Sequence, residues 1–149
     1  MREVRVVLND AVPLRDGDLP VRLAGPEATF DLRVERIERR LSARMEDLPL
    51  DLLEIAATVF AADSSVSRGG SARKDFGAGW RRAFRFVCPV RRPEFWSQPD
   101  VVEALKGAVS FLTDDDVAFE FVEAREPAPA PAYLPFHDGD EDGPLADEV

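Results

Sequence analysis

The chain has 149 residues, enough for one domain with a real core, and 45% hydrophobic residues with ten phenylalanines favour a packed interior over general disorder. A net charge of −10 argues against generic nucleic-acid binding, the single cysteine, Cys88, excludes an internal disulfide, and no apolar run approaches the ~18 residues of a membrane span. The N-terminal run MREVRVVL is too short and too charged for a signal peptide, so a reducing cytoplasm is the expected compartment.

Glu3 to Leu8 (EVRVVL) is short and β-branched and reads as a first strand. The next twenty residues carry Asp-Gly, Leu-Pro and Gly-Pro and read as loop. Thr29 to Val34 sets Phe30, Leu32 and Val34 against Asp31 and Arg33, which predicts a half-buried strand paired with the first. In RIERRLSARM, Ile37 and Leu41 stand four apart and predict a short helix. Asp47 can cap a longer helix running to about Asp63. Leu52, Ile55, Ala56, Val59 and Phe60 follow helical spacing, and Leu53, Ala57 and Ala61 make the other side apolar too, so this helix should lie centrally, covered on most sides.

Ser64 to Gly79 reads as a loop with four glycines. Trp80 to Val90 is a long strand in which Trp80, Arg82, Phe84, Phe86, Cys88 and Val90 share one parity, opposite Arg81, Ala83, Arg85 and Val87. Pro89 marks an edge, a bulge or the strand's end. Ser97 and Asp100 resemble a capping box before a helix with Val101, Leu105, Ala108, Val109 and Leu112 on one face. Thr113 to Asp116 is a turn, and Val117 to Val122 a last strand, which implies a right-handed parallel crossover. After Arg125, EPAPAPAYLPF reads as an extended linker that docks at its end, followed by six acids in the last twelve residues. The expectation is an α+β fold: a domain over residues 1–124 in the order ββαβαβ, with two main helices on a small sheet, and a disordered proline-rich acidic tail over 125–149.

The charge is segregated. Between Arg68 and Arg92 eight basic residues face one acid, Asp75, so that segment is +7 and the remainder −17. Such a surface suits an acidic partner, another part of a larger molecule, or the chain's own acidic tail folding back on Arg81 and Arg85. Trp80 with Arg68, Arg81, Arg82 and Arg85 is the candidate contact surface, because indole and guanidinium groups stack on bases and pair with phosphates. The alternative reading stays open: Trp80 packs at the core's edge and the arginines pair with this chain's own acids.

Catalytic signals are weak. Asp138, Asp140, Asp142 and Gly143 open like a calcium loop, but Pro144 follows and Val149 stands where the bidentate glutamate belongs. Asp114, Asp115 and Asp116 could gather a magnesium ion, against the simpler reading of a solvated turn. Cys88 and His137 are the only cysteine and histidine, which rules out zinc sites, and no phosphate-loop, GxSxG or dinucleotide motif is present.

The stretches LLEIAATVFAADSSVSRGG, WRRAFRFVCPVRRPEFW and LKGAVSFLTDDDVAFEF resemble the N-terminal region of 7-cyano-7-deazaguanine synthase-like proteins of bacterial antiphage defence systems, of the Qat and CBASS types. The resemblance covers Asp51 to Phe121 and rests on Leu52 to Asp63, Arg68, Trp80–Arg81, Pro89–Val90, Trp96, and Phe111 to Asp115 with Phe119 and Phe121. It makes Asp63, Trp96, Thr113 and Asp115 family-pattern residues. In that family a catalytic ATP-pyrophosphatase domain follows, with its Ser-Gly-Gly-x-Asp-Ser loop and zinc-binding cysteines, none of which occurs here. The resemblance implies an accessory domain with no catalytic residue and no cofactor of its own, ATP and zinc belonging to a catalytic domain or subunit that would be its partner. A substrate protein of the same defence system is a further implied partner, and a free-standing nucleic-acid-binding or protein-interaction module is the competing reading.

Overall fold

The computed structural model describes residues 2–68 and 80–125. In chain order these form strands β1 (Glu3–Leu8) and β2 (Leu19–Val21), helices α1 (Val34–Leu41) and α2 (Asp47–Ser65), strand β3 (Ala83–Val90), helices α3 (Pro93–Trp96) and α4 (Pro99–Thr113), and strand β4 (Asp116–Glu123). The fold is α+β with the strand order β2-β1-β3-β4, and every neighbouring pair is parallel. No helix among the described residues is long and apolar enough to cross a membrane.

Period two decides the sheet's faces. Val4, Val6 and Leu8 of β1, Phe84, Phe86, Cys88 and Val90 of β3, and Val117, Phe119 and Phe121 of β4 point to one side, where Ile55, Ala57, Ala61 and Ala62 of α2, Trp96 of α3 and Val109 of α4 complete a single apolar core. Phe86 stacks on Phe84 at 5.5 Å and on Phe119 at 5.3 Å, so the aromatic rings tie β3 to β4 across the ladder. Val7 and Val87, of opposite parity, are buried on the second face, where Arg5 reaches Asp18 at 3.0 Å.

The parallel order fixes where connections run. From β1 the chain steps one way to β2, and from β2 it crosses back over β1 to β3 and on to β4. The β1/β3 boundary is therefore the topological switch point of this sheet, at whose carboxyl ends a crevice forms.

Several expectations need correction. The second strand is not Thr29 to Val34 but Leu19–Val21, inside the segment read as loop, and it pairs with β1 through the register Val6 to Leu19. Phe30 and Leu32 do turn inward, but Thr29, Phe30 and Leu32 make only single backbone bonds to Arg22 and Leu23, not a ladder. Val34 already belongs to α1. Strand β3 begins at Ala83 rather than Trp80, and Trp80, for which core edge and contact surface both stood open, is 44% exposed. Pro89 sits in an inner strand, at a position β1 no longer pairs with, so its missing N–H costs no bond on that side.

Helix α2 is covered on one side rather than most: Leu52, Ala56 and Phe60, four apart, face outward, Phe60 meeting the edge of Phe30 at 5.4 Å. Asp47 is its first residue and not a side-chain cap, though its charge still favours the helix N-terminus. The Ser97–Asp100 box does not form, because Ser97 closes α3 and Gln98 precedes α4 without a side-chain bond. In α4 the covered stripe is Val101, Leu105 and Val109, while Ala108 and Leu112 face out. The helix meets chiefly an edge strand, which is too narrow to cover a broad apolar face. The tail from 126, with His137 and the incomplete calcium loop, and residues 69–79, with the loop glycines, Arg73 and Lys74, lie outside the described residues.

Candidate functional site

Strand β3 carries a buried charged group at each end. At its amino end, the residues just before β3 and β4 meet the end of α2. Arg82 is buried, and so is Asp115. The Arg82 guanidinium donates through Nε to Asp115 Oδ1 at 3.1 Å and through a terminal nitrogen to Asp115 Oδ2 at 2.7 Å, a bidentate pair. The same guanidinium also donates to the Asp63 carboxylate and to the carbonyl of Val66, so it clamps the end of α2. The backbone N–H of Arg82 donates to Asp115 Oδ1 at 3.1 Å, and that of Asp116 to the Arg82 carbonyl at 2.8 Å.

Arg68 closes the cluster from outside. It donates to Asp115 Oδ1 at 3.2 Å, to the Thr113 carbonyl at 2.6 Å and to Asp63 at 3.4 Å, and its Cζ lies 5.6 Å from the centre of the Trp80 ring. Burial opposes the charged form of Asp115, but hydrogen bonds from Arg82 and the charges of Arg82 and Arg68 outweigh it and hold the carboxyl below its ordinary range. Burial likewise opposes the Arg82 cation, and the hydrogen bonds it donates to Asp115 and Asp63 reverse that and raise it.

These contacts bring together Asp63, Arg68, Trp80, Arg82, Thr113 and Asp115, six of the nine residues singled out from the sequence. Arg81 stands at the rim, half exposed, between Asp114 at 3.8 Å and Asp116 at 3.3 Å. Asp114 and Asp116 thus turn outward while Asp115 turns in, and the three do not converge on a common point. Arg85 lies on the second face against Glu3 at 3.2 Å. Trp96 lies at the other end of β3.

That carboxyl end is organised by Asp51, a fully buried residue on the inner stripe of α2. Its carboxylate accepts from the backbone N–H of Arg91 at 3.0 Å and of Arg92 at 3.2 Å, from the Arg91 guanidinium at 2.9 Å, and from Trp96 Nε1 at 3.0 Å. Glu54, one turn on, accepts from the same Arg91 nitrogen at 2.8 Å and from the other terminal nitrogen of that guanidinium at 3.3 Å. Beyond them opens a crevice of about 400 Å³ at the switch point, between Asn9–Ala11 after β1, Pro89 and Arg91 at the end of β3, and Glu123–Arg125 at the end of β4. Asn9 and Asp10 adopt positive φ of 47° and 53°, a turn stabilised by Asn9 Oδ1 accepting from Leu23 N–H and by the Asp10–Arg22 pair at 2.8 Å.

Sequence reasoning missed Asp51, Glu54 and Arg91. The available signal was an acid at 51 in register with Ile55 and Thr58 on the buried stripe, where an uncharged residue would be expected.

The reactive inventory is small. Cys88 is buried, and burial together with the charge of Glu54 pushes its thiol up to about 12, which removes it as a nucleophile at neutral pH. Among the described residues no three His, Cys, Asp or Glu side chains gather as metal ligands. Compared with known proteins, the chain matches no family model, no curated protein and no solved structure.

Proposed function

We propose that the chain is the N-terminal accessory domain of a nucleotide-activating antiphage defence enzyme of the 7-cyano-7-deazaguanine synthase-like kind, working in the cytoplasm. Its role is to hold the catalytic ATP-pyrophosphatase-like domain or subunit, or a substrate protein of the same system. The adenylating chemistry, with ATP and zinc, belongs to that partner. One observation carries the reading: residues of the resemblance spread from 63 to 115 share hydrogen bonds at one end of the sheet. A sequence pattern made of groups that lock a fold, rather than of nucleophiles or metal ligands, is the pattern of a scaffold.

Trp80 and Arg81, at the rim of this cluster, are the proposed contact residues. The nucleic-acid alternative is less favoured, because Arg68, Arg81, Arg82 and Arg85 are each paired with an acid of the chain, so these four offer little uncompensated charge to a phosphate backbone. Co-expression with the ATP-pyrophosphatase-like protein encoded alongside or in frame tests the proposal. A complex that W80A/R81E disrupts is expected. Absence of any complex, or low-salt RNA binding lost in the same variant, would overturn it.

A further inference from the structure

Helix α4 turns an apolar face to solvent. Ala104, Ala108, Phe111 and Leu112 follow the i, i+4, i+7, i+8 spacing of one stripe, and all four are exposed, Phe111 by 88% and Leu112 by 79%. A Cβ added at Gly107 within this stripe would meet nothing within 4 Å. Single exposed apolar residues are ordinary, but a helical stripe of them is a contact face.

The chain itself supplies an occupant. Strands β3 and β4 are parallel, so α4 must carry the chain from the end of β3 back to the start of β4. The start of α4 and the exit of β4 therefore share one end of the sheet. From there Phe111 lies twelve residues along the helix, roughly 18 Å at ~1.5 Å per residue. The segment 126–132, with proline alternating, can span roughly 22 Å at ~3.1 Å per residue. That reach is enough to bring Tyr133, Leu134 and Phe136, the apolar residues that precede the acidic run in the sequence, to the exposed end of α4.

A second copy fits the face less well. Two large side chains and two alanines offer on the order of 400 Å², against roughly 800 Å² per partner in a standard stable interface. A tethered segment needs no such area, because the linker holds it at an effective concentration of about millimolar. We propose that Tyr133, Leu134 and Phe136 dock on the outer face of α4, against Ala104, Ala108, Phe111 and Leu112.

The test compares the full chain with F111S/L112S, substitutions on exposed positions that spare the core, and with Y133S/L134S/F136S. Chymotrypsin cleavage after Tyr133 and Phe136 follows the undocked population when docking is fast. Cleavage should rise by about fivefold or more in F111S/L112S. Amide NMR shifts between Ala104 and Leu112 should move in Y133S/L134S/F136S and stay independent of protein concentration. Unchanged cleavage, or tail-variant shifts confined to residues away from α4, would overturn the proposal. Concentration-dependent α4 shifts with a dimer in sedimentation would assign the face to a second copy instead.

Discussion

The two ends of β3 solve the same problem in different ways. Both bury a carboxylate that ties a helix to the sheet. At the amino end Asp115 faces two guanidinium groups, Arg82 inside and Arg68 outside, and the bonding is charge against charge. At the carboxyl end Asp51 faces one guanidinium and three neutral donors, two backbone N–H groups and an indole. A buried ion pair repays the cost of desolvating both partners only while both are present, whereas a carboxylate held by neutral donors leaves no orphaned charge when it is removed. The amino end should therefore be the more brittle, and the carboxyl end the more forgiving.

The sharpest way to break the comparison is Asp115→Ala, which leaves the buried Arg82 with only the half-exposed Asp63 and should cost about 3–5 kcal/mol in urea unfolding. Adding Arg82→Met to it should recover much of that loss, because removing both charges removes the orphan. Asp51→Ala should cost less, about 2–3 kcal/mol, from unsatisfied backbone and indole donors. Equal losses at the two ends would refute the distinction. Trp96→Phe takes one donor from Asp51 while keeping the ring against Phe121, 5.9 Å away, and should cost about 1 kcal/mol.

Acid probes the amino end directly. The Asp115 carboxyl is depressed in the folded state, so its stabilisation is fully present above the ordinary aspartate range and is lost as pH falls through the folded value. Unfolding midpoints followed downward from neutral pH should fall more steeply in the parent chain than in Asp115→Asn, and parallel acid limbs would contradict this. The smallest effect belongs to Arg85→Gln on the second face, where the exposed Glu3 pair should contribute no more than about 0.5 kcal/mol.

How much of this was readable from the residues follows the same physical divide. β1, β3, α2 and β4 were legible because each is long enough for its apolar period to repeat, and Phe84, Phe86 and Cys88 show the inner face of β3 directly. β2 was not, because three residues containing Pro20 carry neither a period nor a propensity. Its strand character comes from β1 beside it. The candidate cluster was half legible: Arg82 shares the parity of Phe84, which already points it inward, but three consecutive aspartates give no sign that the middle one is buried. Asp115 takes that place because an αL turn at Asp114, φ 59°, ends α4 and swings the next side chain under Arg82. Asp51 was hidden for a similar reason, since its partners come from a segment some forty residues away.

Those separations also govern how the molecule is made. Arg82 and Asp115 are 33 residues apart, Asp51 and Arg91 40, and Arg68 and Asp115 47. Among the described residues no strand pair is a hairpin, and only the short β1–β2 pair joins strands close in sequence. Loop closure must precede every ladder contact, which places this domain among slow folders for its size. On the ribosome the amino-end cluster stays open, with Arg82 paired with Asp63 alone and the β4-facing edge of β3 unpaired, until Asp115 and β4 have emerged. The domain thus becomes a protein only with its last strand, and a nascent chain stalled before β4 is a natural client for chaperones.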